Sequence, residues 1–159
     1  MRCMTTLALT ALALLQSGCE RYALDRQMEE LCRKDGGVKV YESVRLPADR
    51  FDLTGRVISS PAQEMGRGVF VQVVQGGYGI ESRDEVIKAG DPFKGFVSEG
   101  RLLRFTTTVR RLSDGKVLGE EISYGRTGGD ISLGHPSQSI CPNPRPARGV
   151  VQAVLEKGE

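Results

Sequence analysis

Few side chains in this sequence combine a type and a spacing that could do chemistry. His135 is the only histidine and could act as a general base near neutral pH. It stands alone among glycines and prolines, which reads as a surface position in a loop, so a hydrolase using His135 is the weakest functional reading. Glu120 and Glu121 are adjacent carboxylates, but neighbours along a strand point to opposite faces and cannot act together. Arg104, Arg110 and Arg126 fall with Glu121 on what alternation makes the outward face of a hairpin. They offer an anion or partner patch, with a solvated charged face as the plainer account. Gly76-Gly77-Tyr78-Gly79 follows a strand but lacks dinucleotide-binding spacing and opens no helix, so it reads as a loop. Neither a Walker phosphate loop nor a G-x-S-x-G elbow is present. The expectation is a protein that is not an enzyme, with no catalytic residue, no metal and no cofactor.

Composition is consistent with that reading. At 159 residues the chain has room for one domain with a real core and is short for two. Hydrophobic residues make up 39% and charged residues 26%, while 20 glycines and an aromatic content of 6% suggest many turns around a modest core. A formal net charge of +2 supplies no electrostatic case for nucleic acid.

The amino terminus is an address. Arg2 precedes an apolar run from Leu7 to Leu15, and the small residues Ser17 and Gly18 lead to Cys19, the layout of a signal peptide over residues 1–18. As a helix the run reaches roughly half of a hydrocarbon core about 30 Å thick, too little for a permanent span. Leu15-Gln16-Ser17-Gly18-Cys19 resembles the bacterial lipobox, with Gln16 at the place where leucine is commonest. The resemblance implies cleavage between Gly18 and Cys19, a thioether-linked diacylglycerol on Cys19 and three acyl chains on the mature protein. Two chains already suffice for stable anchoring. By the same resemblance, Glu20 in place of aspartate favours the outer over the inner membrane. A mature periplasmic domain over 19–159 would then be held to membrane lipid through Cys19.

That address sorts the cysteines. Cys3 leaves with the signal peptide and Cys19 carries lipid, so Cys32 and Cys141 remain in an oxidising compartment, where two unassigned thiols form a structural disulfide. The loop closed would hold about 110 residues, for which chain entropy suggests an upper value of about 4–5 kcal/mol. A metal or redox pair lacks support, since there is no C-x-x-C and only one histidine.

The elements that must position these residues follow from periodicity. Leu24, Met28, Leu31 and Cys32 make one apolar stripe on a helix over 22–34, stopped by Gly36-Gly37. Residues 38–46 alternate as one half-buried strand ended by Pro47, residues 61–67 read as a loop, and 69–74 as a second strand. The stretch 79–100 reads as polar and irregular. Two alternating runs across 102–124 flank Ser113-Asp114-Gly115-Lys116, a tight hairpin turn. Placed symmetrically, that turn sets Phe105 against Tyr124 and Val109 against Glu120; the awkward Glu120 puts it at the sheet margin or calls for a bulge. Residues 126–148 read as a Gly- and Pro-rich loop, and Val150, Val151, Val154 and Leu155 as a closing helix. The fold class expected is α+β, an antiparallel sheet of about four or five strands with an N-terminal and a C-terminal helix on one face and one disulfide.

The segments Leu31-Cys32-Arg33-Lys34-Asp35-Gly36-Gly37-Val38-Lys39-Val40-Tyr41-Glu42, Arg111 to Lys116 and Ser123 to Arg126 resemble a group of small proteobacterial lipoproteins without assigned activity. The resemblance covers about a third of the chain and implies an envelope location without a mechanism. The function expected is a membrane-anchored envelope lipoprotein that binds a protein or another envelope component. The alternative is a periplasmic inhibitor of a hydrolase such as lysozyme, inserting a protruding loop from Gly125 to Pro146.

Overall fold

The computed structural model describes residues 20–131 and 135–158. The expected signal peptide and the Gly18–Cys19 cleavage and lipidation site lie outside them. Helix α1 covers the described residues 20–35, and its expected stripe faces inward: Leu24, Met28 and Cys32 are buried, and Leu31 packs beside them. Gly36 N–H bonds back to the Cys32 carbonyl, and Gly37, at φ +110°, turns the chain into the first strand.

The strands are β1 (Gly37–Val40), β2 (Val44–Leu46), β3 (Gln63–Gly66), β4 (Val69–Val74), β5 (Tyr78–Lys88), β6 (Arg101–Arg111), β7 (Val117–Thr127), β8 (Gln138–Cys141) and β9 (Leu155–Lys157). Seven of them form one antiparallel sheet in the order β1-β7-β6-β5-β4-β3, with β8 also on β7. β1 and β8 share one edge of β7, β1 along residues 119–122 and β8 along 124–127. β2 pairs parallel with β9 in a separate two-stranded sheet. Helix α2 (Val150–Val154) leads directly into β9.

The class is α+β with an antiparallel sheet and a Cys32–Cys141 disulfide, as expected, but among the described residues the sheet has seven strands rather than four or five. The largest addition is β5, eleven residues placed centrally between β4 and β6 where the sequence suggested irregular chain. Glu81, Arg83 and Glu85 alternate with Ile80, Ser82 and Asp84, so neither set looks like a core face. Backbone pairing on both edges holds the strand instead. The expected loop 61–67 contains β3, the expected loop 126–148 contains β8, and the single strand expected over 38–46 divides between two sheets.

The hairpin turns where Asp114-Gly115 indicated, closed by Arg111 N–H to the Lys116 carbonyl. A β-bulge then shifts the register: Val109 pairs with Gly119 and Arg110 with Val117, leaving Leu118 as the extra residue. Phe105 therefore faces Ser123 rather than Tyr124, and Thr108 rather than Val109 faces Glu120. A shift of one residue reverses which face every β7 side chain takes relative to its neighbour.

This register divides the hydrophobic residues between the two faces. Leu102, Ile122 and Tyr124 pack with Leu24, Met28 and Cys32 of α1 on one face. Val74, Ile80, Val109 and Leu118 pack with Val150, Val154 and Leu155 on the other, around α2. The helices thus cover opposite faces instead of the one face expected. Gly119 is what lets α2 approach: a Cβ there would lie 2.5 Å from Val154 Cγ2 and 2.9 Å from Val150 Cγ2.

Candidate functional site

The face that alternation marked as outward lies under α1. Arg104, Arg110 and Arg126 do share it, but Glu121 points to the other face, and Arg104 and Arg126 are engaged rather than displayed. Arg126 is 1% exposed. Its Nε donates to Asp25 Oδ1 of α1 at 2.6 Å, and its Nη1 donates to the Gly128 carbonyl at 2.7 Å and to Ser137 Oγ at 2.8 Å. A buried guanidinium persists only with such partners, because each unpaired N–H would cost its full desolvation. One turn of sheet away, Arg104 Nη2 donates to Asp35 Oδ2 at 3.0 Å, and the Tyr124 hydroxyl donates to Asp35 Oδ1 at 2.8 Å. Burial, and then the hydrogen bond to Asp35, push the Tyr124 phenol up to about 12. Arg110 reaches Glu81 on β5 at 3.8 Å.

These contacts make α1 part of the sheet from its first described residues. Lys88 Nζ donates to Glu20 Oε1 at 2.5 Å, Arg21 N–H bonds to the Gly129 carbonyl at 3.0 Å, and at the far end Cys32 is joined to Cys141 of β8, 109 positions away. The expected pairing of these cysteines therefore holds. Between Glu20 and Cys32, α1 is thus held at both ends of that span.

The opposite face carries the opening most suited to a ligand or partner. Ser82, Thr107 and Glu121 stand in one cross-strand row over β5, β6 and β7, floored beside Ile80. The segment 52–59 and the start of α2 wall this row into a cleft of about 860 Å³. Gln72 ties the wall to β4 by donating to Ser59 Oγ at 3.2 Å. Asp52 stands at the rim, its carboxylate held below the ordinary value chiefly by the Thr54 hydroxyl and then by the Arg56 N–H. Glu121 accepts the Val150 N–H at 2.9 Å, so its carboxylate both fixes α2 and faces the cleft. Hydroxyls, amides and carboxylates around an apolar floor can hold an extended polar chain by hydrogen bonds.

Glu120 and Glu121 lie on opposite faces, as their adjacency implied, with Glu120 paired against Lys39 of β1. His135 is exposed ahead of β8, and among the described residues no hydrogen bond or ion pair engages it. Gly76 and Gly77 form the turn between β4 and β5. Among the described residues no three His, Cys, Asp or Glu side chains are grouped as a metal site requires, and no helix is long and apolar enough to cross a membrane. The segment expected to protrude over 125–146 is largely tied back: β8 pairs with β7, Gly128 N–H bonds to the Ser137 carbonyl, and Cys141 is disulfide-bonded.

Sequence reasoning missed Arg126 as a clamp and Ser82, Thr107 and Glu121 as a row. The first looked like surface charge. The second needed β5 and the bulge at Leu118 before the three residues could be aligned. No protein-family model, curated protein or solved structure matches the chain.

Proposed function

We propose that this protein is a bacterial envelope lipoprotein, anchored through lipid on Cys19, whose periplasmic domain binds a protein or another envelope component without catalysing a reaction. The observation that carries this reading is the mounting of α1. Helix α1, described from Glu20 next to Cys19, is fastened to the sheet by Glu20–Lys88, Arg126–Asp25 and the Cys32–Cys141 disulfide. An anchor on Cys19 would therefore hold the whole domain at the membrane with almost no intervening chain. The cleft over Ser82, Thr107 and Glu121 lies on the face turned away from α1 and is the binding surface. Glu20 in place of aspartate after the acylated cysteine favours the outer over the inner membrane.

The test is made in cells. Wild-type protein should incorporate labelled fatty acid and fractionate with the outer membrane, whereas Cys19→Ala should remain unprocessed or be released. Acylation and membrane retention of Cys19→Ala would overturn the reading. A photo-crosslinking residue at Gln72 should capture an envelope component, and the same residue at exposed Arg26 on α1 should not.

A further inference from the structure

We infer that the end of the domain nearest Cys19 docks onto the bilayer through an apolar loop tip formed by Phe93, Phe96, Val97 and Ile131. The inference rests on the proposed lipidation of Cys19 and adds a second contact with the same membrane.

The loop between β5 and β6 is firmly based and apolar at its tip. Pro92 and Ser98 are buried, and Ser98 N–H and Oγ both bond to the Asp130 carbonyl at 3.0 Å. Asp91 Oδ1 accepts the Phe93 N–H at 3.2 Å, and Val97 bridges to Ile131. Between these fixed points Phe93 is 72% exposed, Phe96 58%, Val97 46% and Ile131 48%. A loop whose base is so determined holds its aromatic rings outward, and clustered exposed apolar side chains mark a contact surface.

Position names the occupant. Residues 128–131, which pair with this loop, also hold the first described turn of α1: Arg21 N–H bonds to the Gly129 carbonyl, and Arg21 Nη1 lies 3.5 Å from Asp130 Oδ2. Glu20, next to Cys19, contacts Lys88 at the end of β5 and the Gly100 N–H at the start of β6, the two ends of the same loop. Acyl chains on Cys19 would enter the bilayer beside the loop. Phe93 and Phe96 would then meet the boundary between acyl chains and headgroups, where aromatic and aliphatic side chains of membrane-surface segments settle. Lys94 between them can extend to lipid phosphates.

The chain contains no tryptophan, so one introduced residue reports alone. Full-length lipidated protein carrying Phe93→Trp or Phe96→Trp is reconstituted into phosphatidylethanolamine–phosphatidylglycerol vesicles, with and without brominated acyl chains. Leu53→Trp serves as the reference, since Leu53 is fully exposed in the turn that follows Asp52 at the cleft, on the face turned away from α1. Flotation with the vesicles is measured in parallel. The expected result is flotation of all three variants, with a blue shift and loss of most emission to brominated lipid at 93 and 96 but not at 53. Flotation with all three emitting alike would overturn the docking and leave the lipid anchor standing, assigning the tip to a protein partner. Failure of the acylation-competent chain to float would overturn both.

Discussion

The two faces of the sheet solve the same packing problem by different means. Under α2 the contacts are aliphatic: Val74, Ile80, Val109, Leu118, Val150, Val154 and Leu155 close around Gly119, and one polar contact from Glu121 fixes the helix start. Under α1 six buried residues are supplemented by a disulfide, the Arg126–Asp25 pair and the Arg104–Asp35–Tyr124 set. Aliphatic packing is non-directional and tolerates adjustment. Charge pairs and a covalent link hold one geometry, and lose much when one member is removed. The face bearing the proposed anchor is thus the one built to resist displacement.

The disulfide should show the largest difference. Replacing Cys32 and Cys141 together with alanine should lower stability by up to about 4–5 kcal/mol. Hydrogen exchange should accelerate in α1 and β8 before it does in α2. Equal loss of protection in both helices would mean that the two faces are not separately held.

Arg126→Ala comes next. It leaves Asp25 beside a vacated buried site and should cost about 3–5 kcal/mol by chemical denaturation, whereas Arg126→Met, which refills the volume, should cost less. If Arg126→Met costs almost nothing while Arg126→Ala destabilises, the guanidinium acts by its bulk and not by its bonds.

Tyr124 distinguishes the faces by pH. Its phenol ionises near 10 when unfolded and at about 12 in the fold. Its contribution is therefore complete below about pH 10 and is lost as pH rises through about 12, a change of about 2–3 kcal/mol. Stability measured against alkaline pH should fall in that window for the wild type and fall less for Tyr124→Phe. On the other face, Gly119→Ala should cost about 1–3 kcal/mol through collision with Val150 and Val154, with α2 losing protection ahead of α1.

The sequence made some of this contrast legible. Leu24, Met28 and Cys32 repeat at helical spacing, so α1 and its inward cysteine could be read directly, and Asp114-Gly115 located the hairpin. The assignment of helices to faces could not be read, because it depends on the single extra residue Leu118. One residue of register decides whether Ile122 and Tyr124 join α1 or α2. β5 was hidden because its stability comes from partners remote in sequence rather than from its own pattern. Of the site residues, Cys32 and Cys141 were legible by elimination. The row Ser82, Thr107 and Glu121 was not, since residues so far apart become neighbours only when three strands are aligned.

The most direct measurement of the proposed anchor is the intact mass of the protein extracted from membranes, followed by fragmentation of its first peptide. A chain beginning at Cys19, carrying diacylglycerol and an amide-linked acyl chain and lacking two hydrogens for the Cys32–Cys141 bond, is the predicted result. A chain with an unmodified Cys19, or one beginning at another residue, would contradict the account.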